Sequence, residues 1–183
     1  MKNYFYLFIY LFILFCGNSF AQRNEISLND SWLISNRSIS EIDYPKNQNI
    51  SWDKINLPHT FNVSDAYIKK DYFRGTYLYK KEFLVSASDV TKQIYLFFEG
   101  IQSYAQVYIN GQKIGEHKGG YTGFGFDISK YMFYDKINEL LVKVNNQNVE
   151  IAPLHCDFTI WGGIYRDVKL ITTNKIQFAQ GKF

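Results

Sequence analysis

The side chains best equipped to do chemistry in this sequence are five carboxylates, Asp65, Asp71, Glu99, Asp157 and Asp167, and three imidazoles, His59, His117 and His155. Glycoside hydrolysis uses two carboxylates about 5–10 Å apart, and no pair among the five is marked by its spacing. Structural or catalytic zinc needs clustered His or Cys ligands. Here the histidines lie far apart, with no His-x-x-x-His pair. A serine nucleophile needs a base within hydrogen-bond reach, and no Gly-x-Ser-x-Gly elbow is present. No glycine-rich phosphate loop leads from a strand into a helix. The residues call for no metal and no cofactor. On side chains alone a binding module outranks an enzyme, with a complete enzyme on this short chain as the rival reading.

Binding of sugars needs less machinery. Aromatic faces take the C–H face of a sugar ring, and Asp, Asn, Arg or His bond its hydroxyls. Loops on a β-scaffold commonly present such groups. Two stretches fit: Gly119-Gly120-Tyr121-Thr122-Gly123-Phe124, and His155-Cys156-Asp157-Phe158-Thr159-Ile160-Trp161-Gly162-Gly163. The competing reading makes these aromatics core residues and Asp157 a turn carboxylate that bonds its own backbone.

The scaffold these loops require is legible in the composition. Aromatic residues make up 19% of the 183 residues, and rings together with β-branched side chains suit a pleated, half-buried surface. Strands are predicted at Trp32–Ile34, Thr76–Val85, Gln93–Phe98, Ala105–Ile109, Gln112–Glu116, Phe124–Ile128, Glu139–Asn145, Tyr165–Thr172 and Ile176–Ala179, with residues 37–54 as loop. Asn110-Gly111 between two of these runs is a strong hairpin signal, because a type I′ turn needs positive φ at both central residues. Many short strands separated by turn residues indicate an all-β, jelly-roll β-sandwich. The formal charge is +3, from 20 basic and 17 acidic residues. Its densest basic runs are the pairs Lys69-Lys70 and Lys80-Lys81, so a nucleic-acid partner has no electrostatic footprint.

Several co-linear motifs then resemble one family. Trp52 to Asn62 (WDKINLPHTFN) is similar to the "W…LPHTWN" opening of glycoside hydrolase family 2 sugar-binding domains, with Phe61 in place of the usual Trp. Tyr72-Phe73-Arg74-Gly75 and Tyr77 to Phe83 resemble "YYRG…WYRKTF". Phe98 to Ile101, Val107 to Gly111 and His117 to Phe124 resemble "FEGV…VYVNG…H.GGYT.F". Asp157 to Val168 resembles the closing "DFTxxGGIYRDV", with His155-Cys156 where small or polar residues are usual. The likeness runs from about residue 28 to residue 172 and is strongest to β-galactosidase-like members. It implies a galactose-binding-domain-like jelly roll that works beside immunoglobulin-like and TIM-barrel domains. The family's acid/base and nucleophile glutamates belong to that barrel and match no position here. The expectation is therefore a non-catalytic fragment or accessory domain that binds a galactoside-like carbohydrate. The stand-alone alternative is a lectin-like glycan-binding module. In β-galactosidase-like members the Asp opening the last motif binds a sugar hydroxyl in the barrel's active site, and only Asp157 matches it. Arg74, in the "YRG" loop, is a second candidate for the same pocket.

Residues 1–21 differ from the rest. Lys2 precedes an apolar run from Tyr4 to Phe15, and Ser19-Phe20-Ala21 places small residues at −3 and −1 of a cleavage point before Gln22. This is the layout of a secretory signal peptide. The run of about a dozen residues is too short for a stable membrane span of about 20. The mature domain would be residues 22–183, periplasmic or extracellular, with Cys156 as its one thiol. Lipidation at Cys16 is the alternative, weakened by bulky Phe15 just before it. N-terminal sequencing of the protein exported by its native host is expected to begin near Gln22; a lipidated start at Cys16 would replace this reading.

Overall fold

The computed structural model describes residues 23–38, 50–64, 73–147 and 159–175. Ten strands form among these residues: β1 (Arg23–Ser27), β2 (Trp32–Ser35), β3 (Trp52–Ile55), β4 (Thr76–Leu84), β5 (Gln93–Phe98), β6 (Tyr104–Ile109), β7 (Gln112–Lys118), β8 (Phe124–Asp127), β9 (Ile137–Asn145) and β10 (Val168–Thr173). They build a four-stranded sheet in the order β1-β10-β5-β8 and a six-stranded sheet in the order β3-β2-β4-β9-β6-β7. Every strand pair in both is antiparallel. The two sheets make the jelly-roll β-sandwich expected from the strand pattern.

Alternation drives the packing. In β5, Ile94, Leu96 and Phe98 are buried while the residues between them are half-exposed, and Ala105, Val107 and Ile109 of β6 repeat the pattern. These inward residues join Trp32, Tyr79, Leu140, Val142, Val144, Val168 and Leu170 in one core. Fully burying a large apolar side chain stabilises by about 1.5–3 kcal/mol, so the alternating rows set which face of each strand turns inward. Leu78 and Leu141 fall on the other face of the six-stranded sheet. They are buried there in a smaller cluster with Ile50, Trp52 and Tyr108.

Two sequence expectations need correction, and one strand forms where none is predicted. Residues 37–54 are not all loop, since Trp52–Ile55 pairs with β2. This strand is an edge, and its exposed Asp53 and Lys54 hide the apolar signal. Arg23–Ser27 is a strand that no alternation announces: it is exposed along its whole length and held by backbone pairing to β10. The last described strand begins at Val168, not at Tyr165, after a bend at Arg166. The Asp167 carbonyl accepts from the Glu99 N–H, and its carboxylate accepts from Asn29 Nδ2 at 3.0 Å. The proposed Ile176–Ala179 strand and Cys156 lie outside the described residues. No helix among the described residues is long and apolar enough to cross a membrane.

The hairpin forms where the sequence places it. Asn110 has φ 49° and Gly111 φ 78°, and Ile109 faces Gln112 across the turn. Its register departs from simple pairing at one residue. Val107 lies opposite Gly115, so Ile114 is an extra residue in a bulge. Asn110 also ties the turn to β9, accepting from the Glu139 N–H at 2.9 Å and donating to Asn138 Oδ1 at 2.9 Å. A Cβ at Gly111 would meet no atom within 4 Å, so a side chain there costs only backbone strain. Gly111→Val is expected to lower stability by about 1–2 kcal/mol, and Gly111→Asn by much less, in urea melts of the two variants. Equal stability of Gly111→Val and the parent would remove the turn from this account.

Candidate functional site

One end of the sandwich gathers the loops named by the sequence motifs. The start of β4, the end of β9, the start of β6 and the end of β7 lie side by side there: Thr76 faces Asn145, Asn145 faces Tyr104, and Tyr104 faces Lys118. Gln102 and Gly163 bridge antiparallel at the same end. Loops at such an end leave backbone N–H and C=O groups without strand partners, and buried ones must find others.

Two buried carboxamides supply them. Asn62 is fully buried. It donates from Nδ2 to the carbonyls of Phe73 (3.2 Å) and Ile160 (3.0 Å), and its Oδ1 accepts from the Gly162 N–H (2.9 Å). Asn146 is also fully buried. Its Oδ1 accepts from the Gly75 N–H at 2.8 Å, and its Nδ2 reaches the same Phe73 carbonyl at 3.5 Å. The loop 73–75, the start of the closing motif at Ile160–Gly162 and the end of β9 are thus one hydrogen-bonded unit. Residues 59–61 run beside it, with His59 N–H donating to the Ile164 carbonyl and Phe61 N–H to that of Gly162. The contact is close enough that a Cβ at Gly163 would lie 2.4 Å from the His59 carbonyl oxygen, and Gly163 adopts φ +139°. Beneath, Phe61 stacks on Tyr77 with centroids 4.5 Å apart, and Phe73 meets both rings edge-on. Phe61 therefore fills an aromatic slot.

Arg74 sits between the two anchored residues of this unit, Phe73 and Gly75. Its side chain is half-buried, with guanidinium Nη1 shielded from solvent. Asp157 lies outside the described residues, as do His155 and Cys156. The described residues on either side of it in the sequence are Gln147, whose N–H donates to Asn145 Oδ1 at 2.8 Å, and Thr159, just before the Ile160 carbonyl held by Asn62. The other motif loop divides in two. Tyr121 is 65% exposed, whereas Phe124 is buried, stacked on Phe98 at 5.1 Å and on His117 at 3.9 Å. The Tyr165 hydroxyl donates to the Gly120 carbonyl, and Arg166 lies over the Tyr165 ring at 5.2 Å. Asn62 and Asn146 received no role in the sequence analysis. Asn62 closes a quoted motif, yet its partners are far along the chain.

Burial sets the protonation of the histidines. His59 is held below its ordinary value by desolvation, and its Nδ1 lies 2.9 Å from the Tyr79 hydroxyl. Burial pushes that Tyr79 hydroxyl up, out of the physiological range. Desolvation also holds His117 below its ordinary value. Both rings therefore favour the neutral form more than a free imidazole does. In that form they can orient groups or hydrogen-bond, and they contribute no cation to this end. Among the described residues no three metal-ligating side chains converge.

Residues 17–174 match the family profile described as "Glycosyl hydrolases family 2, sugar binding domain". The chain belongs to glycosyl hydrolase family 2, as its sugar-binding domain. This family 2 domain is 38% identical over 172 residues to a β-glucuronidase of Bacteroides fragilis, covering 92% of the chain and 23% of the relative. It is 36% identical to a β-galactosidase of Thermoanaerobacterium thermosulfurigenes, covering 81% of the chain and 21% of the relative. Among solved structures, a Bacteroides uniformis β-glucuronidase superposes with a TM-score of 0.75 at 40% identity, covering 84% of this chain and 18% of that one. The chain spans about a fifth of the length of the curated relatives it matches. These relatives are glycoside hydrolases that extend well beyond the sugar-binding domain.

The lowered histidines give a pH dependence of definite sign. Above the ordinary value of 6.5 both states carry neutral rings. Below it the unfolded chain takes up protons that the folded domain resists, so stability falls as pH drops through the unfolded value towards the folded one. Urea midpoints of the parent are expected to fall between about pH 7.5 and about pH 5.5. His59→Gln is expected to fall less steeply over the same interval. An identical slope in the variant would mean that His59 titrates as freely folded as unfolded.

Proposed function

We propose that this family 2 domain forms one wall of the active site of an exported glycoside hydrolase, with hydrolysis carried out by a TIM barrel that it meets beside an immunoglobulin-like domain. Alone it hydrolyses nothing. The observation that carries this reading is the carbonyl of Phe73, where Asn62 and Asn146 meet. It ties the Arg74 loop to Asn146 and, through Asn62, to Ile160, described residues that flank the sequence segment holding Asp157, which supports a shared pocket for the two residues. In this reading Asp157 accepts a hydrogen bond from a sugar hydroxyl, and Arg74 donates to the same sugar.

The substrate proposed is a β-galactoside. A second reading, a β-glucuronide, is favoured by the names of the B. fragilis and B. uniformis relatives, which are 38% and 40% identical. Arg74 would separate the two, since a guanidinium grips a carboxylate through paired N–H donors.

A hydrogen bond to a charged group is worth about 1.5–3 kcal/mol, or roughly ten- to a hundredfold in rate at about 1.4 kcal/mol per decade. In a fusion with a cognate immunoglobulin-like and barrel partner, Asp157→Ala is expected to lower kcat/KM by that factor on aryl β-galactosides or β-glucuronides. Arg74→Ala is expected to do so selectively on the glucuronide if that reading holds. Circular dichroism supplies the folding control. Full activity from a folded Asp157→Ala fusion would leave Asp157 as a turn residue. Tight glycan binding by the chain alone would instead support a lectin-like module.

A further inference from the structure

A second concavity in the molecule has a lining of different chemistry. The β2–β4 ladder consists of only Leu33↔Lys80 and Ile34↔Tyr79. Where β2 parts from β4, a cavity of about 600 Å³ opens, lined by Ser31, Trp32, Lys54, Asn56, Lys80 and Lys81 together with Glu82. It lies towards the far end of β4 from Arg74. Six residues of nearly extended chain separate Arg74 from Lys80, about 20 Å at the rise of a strand.

Three lysines line this groove, Lys54 and Lys80 from one face of the sheet and Lys81 from the other face of β4. Lys54 is exposed on β3, and the registers Lys54↔Leu33 and Leu33↔Lys80 put it two strands from Lys80 on the same sheet face. Adjacent strands are about 4.8 Å apart, so the two lysines start roughly 10 Å from one another, about the span of a disaccharide. Lys80 is steered by the indole of Trp52, its Nζ lying 4.9 Å from the ring centroid. Lys81 donates to the Asp30 carbonyl, and an ammonium carries three donors. Nearby negative charge offsets the three only in part: Glu139 pairs with Lys80 at 3.8 Å, and Glu82 is the one carboxylate in the lining. Ser31 and Asn56 add polar groups suited to hydroxyls, and the Ser31 N–H already orients Asn56 Oδ1 at 2.9 Å.

We infer that this groove is a second carbohydrate site, one that takes the acidic groups of a polysaccharide, whether uronate carboxylates or sulfate esters. Cations at a fixed spacing along an open groove, flanked by hydroxyl-binding groups, suit a chain that carries one anion per sugar or per disaccharide. The groove would hold such a chain away from the Arg74 end, and it does so whether or not that end serves a hydrolase.

The test is calorimetric titration of the full chain, at low and at physiological ionic strength, with tetragalacturonate, a sulfated galactan tetrasaccharide, neutral galactotetraose and inorganic sulfate. At least one acidic tetrasaccharide is expected to bind ten or more times tighter than galactotetraose and inorganic sulfate. The acidic ligand that binds tells uronate from sulfate ester, and its affinity is expected to fall with salt. The double variant Lys54→Gln/Lys80→Gln is expected to weaken binding at least tenfold, while Lys130→Gln, at an exposed lysine outside the groove lining, leaves it unchanged. Should the double variant fail to fold, Lys54→Gln alone, at an exposed position, is expected to weaken binding about threefold. Equal binding of galactotetraose or of inorganic sulfate, no binding of either acidic tetrasaccharide, or acidic-saccharide binding that ignores the lysine substitutions would overturn the proposal.

Discussion

Two buried amides decide where this sandwich can present function. A pair of packed sheets satisfies its own backbone along the strands and leaves it unsatisfied where the strands stop. At the end that carries Arg74, several loops press together too tightly for water to serve each group. A buried amide without a partner costs about 1–3 kcal/mol. Asn62 and Asn146 offer two donors and an acceptor apiece, and both spend them on backbone groups of other loops. Removing Asn62 would orphan the Ile160 carbonyl and the Gly162 N–H and break the tie between the loop at 73–75 and the motif at 160–162; removing Asn146 would orphan the Gly75 N–H.

The rest of the fold holds those amides in place. The pairing of β4 with β9 is the longest among the described residues, nine residues on each side. It delivers Gly75 and Asn146 to the same spot, next to Thr76 and Asn145. Alternating burial on β5 and β6 fixes which face of each sheet is inward, and a shift of one residue would turn that whole set to solvent. The aromatic trio Phe61, Phe73 and Tyr77 fills the space just under the amides, so the rigidity of this end is apolar beneath and polar above. The resemblance to family 2 domains rests on the same residues, for Phe61, Asn62, Phe73, Gly162 and Gly163 all fall within motifs legible in the sequence.

What could be read from the sequence followed how local the cause was. The Asn110-Gly111 turn was legible because its chemistry is contained in two residues. The inward faces of β5 and β6 were legible because alternation needs only one strand. Edge strands were not. Arg23–Ser27 buries nothing, and Trp52–Ile55 mixes charge with bulk, so their pairing is visible only once β10 and β2 are in place. The split of one loop into exposed Tyr121 and buried Phe124 depends on where Phe98 and His117 lie. Asn62 and Asn146 were hardest to read, since a polar residue near a turn looks the same whether it faces water or a carbonyl 98 residues away. Arg74 was found through the family motif alone; its half-buried position on an anchored loop is what the fold adds.

The pairing of β1 with β10 has a bearing on the history of such molecules. Arg23 lies directly opposite Thr173, so the backbone enters and leaves the sandwich as neighbouring threads on one edge. Between those two points nearly the whole fold is closed upon itself. Such a unit behaves like a cassette: a gene can acquire it, lose it or transplant it into another polypeptide while the contour of the host chain scarcely alters, because entrance and exit coincide. A recognition module with this wiring can be matched to new catalytic hosts by recombination, without waiting for either partner to evolve the other's chemistry.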